Sequence, residues 1–361
     1  MKKKIKLFDP IINNLEEKEM ISILKSGFWA SGAGSHKVKE FENKFRKYTG
    51  AKECVAVNSG TSALNLALSM ANIKNKEVIL PSLTFVSTAH AIILNGGEPV
   101  FVDINPKTLC LDPIEVKKAI TKKTAVVVPV HFAGMAAELE KLEKICRSKK
   151  IQIIEDAAHA AGTKYKNRKI GSHGISVCFS FHPVKNLAMP TGGMICINHK
   201  NFKNIKKRFN EKRWCGITNR KEYSYDVREI GWNYYMNEFS AGLGLIQLKK
   251  LNTLNEIRRK IARRYHNEIM LKEKMPFVLG CSYHFYWILV KNRNKIMKKL
   301  KESGIETGIH YRPVHTMSMY NTKKQLPITE SVGKMIISLP THPNLTNSDV
   351  TKIISVINHM D

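Results

Sequence analysis

From residue 54 onward the chain alternates short apolar, β-branched runs with helical stretches, and this alternation restricts its possible folds more than any other feature. The strand-like runs are Cys54–Val57, Glu77–Leu80, Pro99–Val102, Ala125–Val130, Ile151–Ile154, Ile175–Phe181 and Met194–Ile197. Between the first two, Ser62–Ile73 carries apolar residues at 64, 67, 68 and 71, the spacing of a helix face; Leu139–Lys149 is a second helix candidate. Such alternation predicts a mostly parallel sheet covered by helices on both faces. In sheets of this kind ligands bind beyond the carboxyl ends of the strands. With 361 residues and 43% hydrophobic content, the chain is long enough for one large core, or for a large domain and a small one.

The flanking segments read as helical. Leu15, Met20, Ile21 and Leu24 mark a short amphipathic helix, and Val38, Phe41 and Phe45 mark another, with the glycine-rich stretch Gly27–Gly34 as the link between them. Beyond Phe239 a long helical pattern runs through Leu243, Ile246, Leu248, Leu251, Leu254, Ile257 and Ile261. A strand-like Tyr286–Val290 and a helix at Lys295–Ser303 follow.

Several function classes drop out early. No apolar run approaches the ~20 residues of a membrane span, and MKKKIKLFDP at the N-terminus lacks the apolar segment of a signal peptide. A cytoplasmic protein with no membrane partner is expected. The seven cysteines are scattered without a CxxC pair, so they read as reduced packing residues, neither disulfides nor metal ligands. The formal charge of +29 is spread along the chain (Lys2–Lys4, Lys117-Lys118, Lys122-Lys123, Lys206-Lys207, Arg258–Lys260, Lys298-Lys299). That spread fits a lysine-rich surface better than a nucleic-acid face, and it favours a phosphorylated substrate.

Four strand ends carry chemistry. Asn58-Ser59-Gly60-Thr61-Ser62 lies at a strand–turn–helix junction, which offers backbone N–H groups and hydroxyls to an anion or, more plainly, caps the helix. Phe85, in PSLTFVST, is placed to stack on a planar ring or to fill core. Asp156, in EDAAH, follows an apolar strand and can hold a protonated ring nitrogen, or cap a helix. Lys185 sits on a turn after Ser176–Phe181, constrained by Pro183 and by Gly192-Gly193. A lysine held partly out of water there has a lowered pKa and becomes an imine-forming nucleophile. A phosphate cradle, a ring-stacking aromatic, a carboxylate for a ring nitrogen and a lysine are together what pyridoxal phosphate requires.

The ordered motifs NSGTSAL, PSLTFVSTAHAI, PVHFAG, IEDAAHAAGTKY, FSFHPVKN and GWNYYMNEFSAGLGLIQL resemble the DegT/DnrJ/EryC1/StrS family of nucleotide-sugar aminotransferases, from about residue 5 to the C-terminus. The resemblance implies a fold-type I, aspartate aminotransferase-like α/β protein: a large domain over 1–240 with a mostly parallel sheet, and a smaller α+β domain over 241–361. The short segment between Tyr265 and His284 implies that the smaller domain is trimmed. By position, Lys185 carries the cofactor, Asp156 pairs with its ring nitrogen, Ser180, Gly60, Thr61 and Ser62 serve the phosphate, and Phe85 stacks on the ring. His159, beside the cofactor, stands where many relatives have Gln. Asn233 matches an asparagine that relatives lend to the partner subunit of a homodimer, although Tyr235 replaces an Arg common after the NY pair. His310, Tyr311 and His315 resemble the family's IHYxPxH stretch near the sugar, where they either line that pocket or are structural.

The implied reaction moves an amino group from an amino acid, glutamate by analogy, to a keto group of a nucleotide-linked deoxysugar for amino-sugar or polysaccharide biosynthesis. Two alternatives remain. One is a sugar dehydratase of the same family, whose members carry His at the lysine position. The other is a non-catalytic, basic nucleic-acid-binding or regulatory protein on this fold.

Overall fold

The computed structural model describes residues 4–320, 322 and 324–359, so Lys2 and Lys3 of the basic N-terminus lie outside the described residues. Two helices open the chain, α1 (Asn14–Ser26) and α2 (His36–Thr49), before strand β1 (Glu53–Val57). The alternation then runs α3 (Gly60–Ser69), β2 (Glu77–Pro81), α4 (Ser87–Leu94), β3 (Glu98–Val102), α5 (Pro113–Ala119), β4 (Thr124–Val127), α6 (Leu139–Ser148) and β5 (Gln152–Asp156). A small hairpin, β6 (Lys164–Tyr165) and β7 (Arg168–Lys169), precedes β8 (Ser176–Ser180) and β9 (Gly193–Ile197).

Apart from that hairpin, these strands form one seven-stranded sheet in the order β1-β9-β8-β5-β4-β2-β3. Its pairings are parallel except for β9, which runs antiparallel to both β1 and β8. The return from β8 to β9 contains no crossover helix, and an antiparallel return needs none. That return is the segment carrying Lys185. Consecutive strand residues point to opposite faces, each buried under helices: Val55 and Val57 join one apolar cluster, Cys54 and Ala56 another. The same split puts Val78 and Leu80 in one cluster and Ile79 in a different one.

After β9 come α7 (Phe202–Lys212), the hairpin β10 (Ile217–Lys221) and β11 (Ser224–Val227), and the 31-residue α8 (Glu238–Glu268). Asn237 caps α8 by accepting the Ser240 N–H at 2.8 Å. The boundary drawn at residue 240 falls in the first turn of this helix. Beyond it lie β12 (Tyr286–Leu289), α9 (Arg293–Glu302), α10 (Pro327–Met335), β13 (Ile336–Leu339) and α11 (Asn347–Asn358), with β12 and β13 paired antiparallel. Tyr286, Ile336, Ile337 and Ile353 share one apolar cluster with Ile79 and Val127, so this part packs onto a face of the main sheet.

The glycine-rich stretch after α1 serves packing. Gly34 has φ +67, and a β-carbon there would lie 2.0 Å from Arg213 Nη2. Arg213 is 1% exposed; it pairs with Glu42 at 2.6 Å and donates to Ala56 O and Ala33 O at 2.8 and 3.1 Å. The loop therefore closes over a buried cation that joins α2, β1 and the end of α7.

Candidate active site

The carboxyl ends of β1, β2, β5 and β8 open into one cavity of about 370 Å³. Its anion-binding end is built at the start of α3. Ser59 caps that helix, its hydroxyl accepting the Ser62 N–H at 3.0 Å, and leaves the first-turn amides of Gly60 and Thr61 beside the cavity. Gly60 is required by close approach: a β-carbon there would sit 2.6 Å from Ser180 Cβ and 3.2 Å from its Oγ. The missing side chain brings the helix start and the Ser180 hydroxyl to one wall. Gly193 does the same for the backbone, since a β-carbon there would lie 2.2 Å from Ser59 O. Three strand ends thus converge on a cradle of N–H and O–H donors, the chemistry a phosphate needs. Ser62, expected among those donors, is turned away. It is buried and its hydroxyl donates to Asn58 Oδ1 at 2.5 Å, so it braces the turn.

Asp156 ends β5 at the cavity floor, 4% exposed. Its Oδ2 accepts the Thr88 hydroxyl at 2.8 Å and its Oδ1 accepts the Ala158 N–H at 3.0 Å. Burial pushes its pKa up, against those two donors and the positive charge of Lys185. Among the described residues it has no salt-bridge partner, so a protonated ring nitrogen is the kind of group its environment calls for.

Lys185 lines the same cavity. Burial lowers its pKa from 10.5 to about 8, with Asp156 opposing the shift. Solvent still touches part of its surface through the cavity, yet the amine lies deep enough among protein atoms for desolvation to dominate. A cradle for an anion, an uncompensated buried carboxyl and a partly neutral amine fit pyridoxal phosphate on one wall, floor and loop.

The remaining walls come from farther along the chain. Phe85 is 56% exposed and lines the cavity, with its ring 5.9 Å from that of Tyr311. His159 Nδ1 accepts the Ala133 N–H at 3.3 Å, so the proton of the neutral ring is on Nε2, 3.0 Å from the Tyr311 hydroxyl. Burial holds His159 well below its ordinary pKa, helped by the charge of Lys185. His310 also lines the cavity; it bonds Ser338 Oγ through Nδ1 at 2.8 Å, and burial, with the Lys185 charge, brings its pKa to about 4.

Two expected residues stand apart. His315 is buried outside the cavity lining, bonded to Ser82 Oγ at 2.6 Å and 3.3 Å from Glu330. Asn233 is exposed and is not part of its own chain's cavity wall. Two residues not anticipated are present. Thr88 orients Asp156 from the start of α4, and its position in the quoted PSLTFVST stretch was the available signal. His284 lines the cavity with its ring 4.6 Å from that of His159. Its place just ahead of β12 gave no periodic or motif signal.

The chain is similar to proteins of known kind over nearly its whole length. The model of the DegT/DnrJ/EryC1/StrS aminotransferase family matches residues 10–358. Bacillus subtilis spore coat polysaccharide biosynthesis protein SpsC is 35% identical, over 96% of this chain and 95% of its own. A putative sugar aminotransferase from Streptococcus pneumoniae has the same fold, with TM-score 0.94 and 28% identity over 99% of this chain and 97% of its own. Its structure is also known in forms holding pyridoxal phosphate and pyridoxamine phosphate. Helicobacter pylori PseC, an aminotransferase in pseudoaminic acid biosynthesis, superposes with TM-score 0.92 and 27% identity, covering 98% of each chain. With the family's motifs gathered around one cavity and its match spanning nearly the whole chain, this protein belongs to the DegT/DnrJ/EryC1/StrS family of pyridoxal phosphate-dependent sugar aminotransferases.

Proposed function

We propose that this enzyme transfers an amino group from an amino acid, L-glutamate, to a keto group of a nucleotide-linked deoxysugar, feeding amino-sugar or polysaccharide biosynthesis. The observation that carries the reading is the pairing, in one cavity, of a buried Asp156 without a cation and a Lys185 lowered to about pKa 8, beside the start of α3. Gly60, Thr61 and Ser180 hold the phosphate of the cofactor, Asp156 its ring nitrogen, and Phe85 one face of its ring; His159 lies beside it. Bound there, pyridoxal phosphate supplies the electron-withdrawing ring that makes amino-group exchange possible.

The protein's own groups do the rest. Lys185 Nζ would hold the cofactor and, once freed by the amine of the donor taking its place, would take a proton from the α-carbon of the donor and return one to the sugar carbon, a task suited to an amine whose pKa burial brings to about 8. Asp156 keeps the ring nitrogen protonated, and Thr88 keeps Asp156 in place. His310 and Tyr311 form the wall nearest the sugar, whereas His315 supports it from behind through Ser82.

The working form in this reading is a cytoplasmic homodimer, with residues 1–240 as the cofactor domain, 241–361 as the smaller one, and no nucleic-acid partner. Asn233, exposed and outside its own cavity, is then offered to the partner's site. Among the described residues no helix is long and apolar enough to cross a membrane. The test is the visible absorption spectrum with pyridoxal phosphate, recorded before and after L-glutamate. A lysine-bound cofactor band that glutamate converts to the pyridoxamine form supports the donor; a band that glutamate leaves unchanged removes it.

A further inference from the structure

We infer that Asn186 is the positioning residue of Lys185, and that it sets the lysine's place by clamping its loop to Asn255 on α8. The loop between β8 and β9 is first closed on itself, by Lys185 N–H to His182 O at 2.8 Å and Met189 N–H to Phe181 O at 2.9 Å. Those bonds shape the turn but do not register it against the rest of the molecule. Asn186, next along and 3% exposed, does so. Its Nδ2 donates to Asn255 Oδ1 at 2.9 Å and to Ser282 O at 2.8 Å.

Both amide hydrogens are used, and a carbonyl can only accept, so the orientation of the amide is set. Asn255 is 1% exposed and passes the anchor on, donating through Nδ2 to Ala161 O at 2.9 Å. Gly162 permits the approach: its φ is +87, and a β-carbon there would lie 2.3 Å from Asn255 Nδ2. Ser282 is fixed in turn by its hydroxyl, which donates to His159 O at 3.2 Å. The lysine loop, the start of the segment leading to β12 and the turn after Asp156 are thereby tied at one point.

Space filling alone does not account for this side chain. Among the described residues Asn186 Oδ1 has no partner although it is buried, which costs about 1–3 kcal/mol and which an apolar residue of similar size avoids. What asparagine adds over leucine is two directed bonds. Placement matters here because a misplacement of about 1 Å at a reacting group costs on the order of 100-fold in rate.

The activity arm of the test rests on the reaction proposed above; a labelling arm does not. Among the described residues, the charged and titratable groups that face Lys185 or share its cavity are Asp156 from β5, His159 after it, His182 on the lysine's own loop, His284 ahead of β12, and His310 and Tyr311 beyond α9. None is altered in Asn186→Leu or Asn255→Ala, so a change in the titration of Lys185 reports its displacement. In the cofactor-free protein, acetic anhydride labelling of the Lys185 peptide, followed by mass spectrometry across a pH series, should give a midpoint near 8 for the wild type. Both variants should move that midpoint toward that of surface lysines. In the holoenzyme kcat should fall about 10- to 100-fold with little change in KM, and the double variant should lose less than the two single losses combined.

A folded Asn186→Leu protein with an unchanged labelling midpoint and kcat within about twofold of wild type overturns the inference. If that variant does not fold, Asn255→Ala, which keeps the bond to Ser282 O, is read in the same way. A shifted midpoint in a protein that aminates no sugar removes the proposed reaction and leaves the clamp standing.

Discussion

At the scale of single residues the site works by contrast in burial. Lys185 is held near pKa 8 by desolvation, so its neutral fraction rises as pH climbs through that value. Capture of pyridoxal phosphate by the cofactor-free protein, followed by its visible band, should therefore accelerate up to about pH 8 and level off above it. A rate that keeps rising toward pH 10 would mean that the amine is an ordinary solvated lysine. Lys185→Ala should retain the cofactor non-covalently and complete no turnover; undiminished activity would sink the assignment of this lysine. Thr88→Val deletes the hydroxyl that donates to Asp156 Oδ2 at 2.8 Å. It should lower unfolding stability by about 1–3 kcal/mol and reduce kcat, read by denaturant titration and by steady-state kinetics.

At the scale of elements, two junctions decide whether the site assembles. The start of α3 must lie against β8, and only a glycine fits there. Gly60→Ala should leave the fold intact but push Ser180 away, raising the Kd for pyridoxal phosphate at least about tenfold, or ~1.4 kcal/mol. Equilibrium dialysis measures this directly, and an unchanged Kd would remove Ser180 from the cradle. The second junction is the buried Glu42–Arg213 pair joining α2, β1 and α7. Glu42→Ala leaves Arg213 charged and buried, so a loss of about 3–5 kcal/mol is expected in a denaturant titration. The expected elements form close to their sequence bounds, because hydrophobic period and turn residues are local properties. What is not local is the second neighbour of β9: it pairs antiparallel with β8, just before it in the chain, and also with β1, far earlier.

At the scale of the whole molecule, the proposed dimer makes a sharp complementation test. Lys185→Ala and Asn233→Ala should each be inactive alone, while a mixture regains activity through one intact site in each hybrid dimer. No recovery on mixing, in chains shown by sedimentation to exchange, would place Asn233 outside the shared site. The charge of +29 acts at longer range. Raising ionic strength should lower kcat/KM for a diphosphate-linked substrate while leaving kcat unchanged, because screening weakens capture and not chemistry.

Period and strand-end position, both readable from neighbouring residues, were enough to predict the mostly parallel sheet and to bring Gly60, Thr61, Phe85, Asp156 and Lys185 to one end of it, whereas Ser180 and His159 were expected there only from the family resemblance. Contacts between distant segments were not readable. Thr88 meets Asp156 across 68 residues, Asn186 meets Asn255 across 69, and His159 meets Tyr311 across 152. Side-chain direction was equally hidden. Ser62 lies in the right turn but faces inward, and His315 lies in the right stretch but behind the wall. Local pattern determines which strand end a residue occupies; only the packed chain decides which way it points and what waits there to receive it.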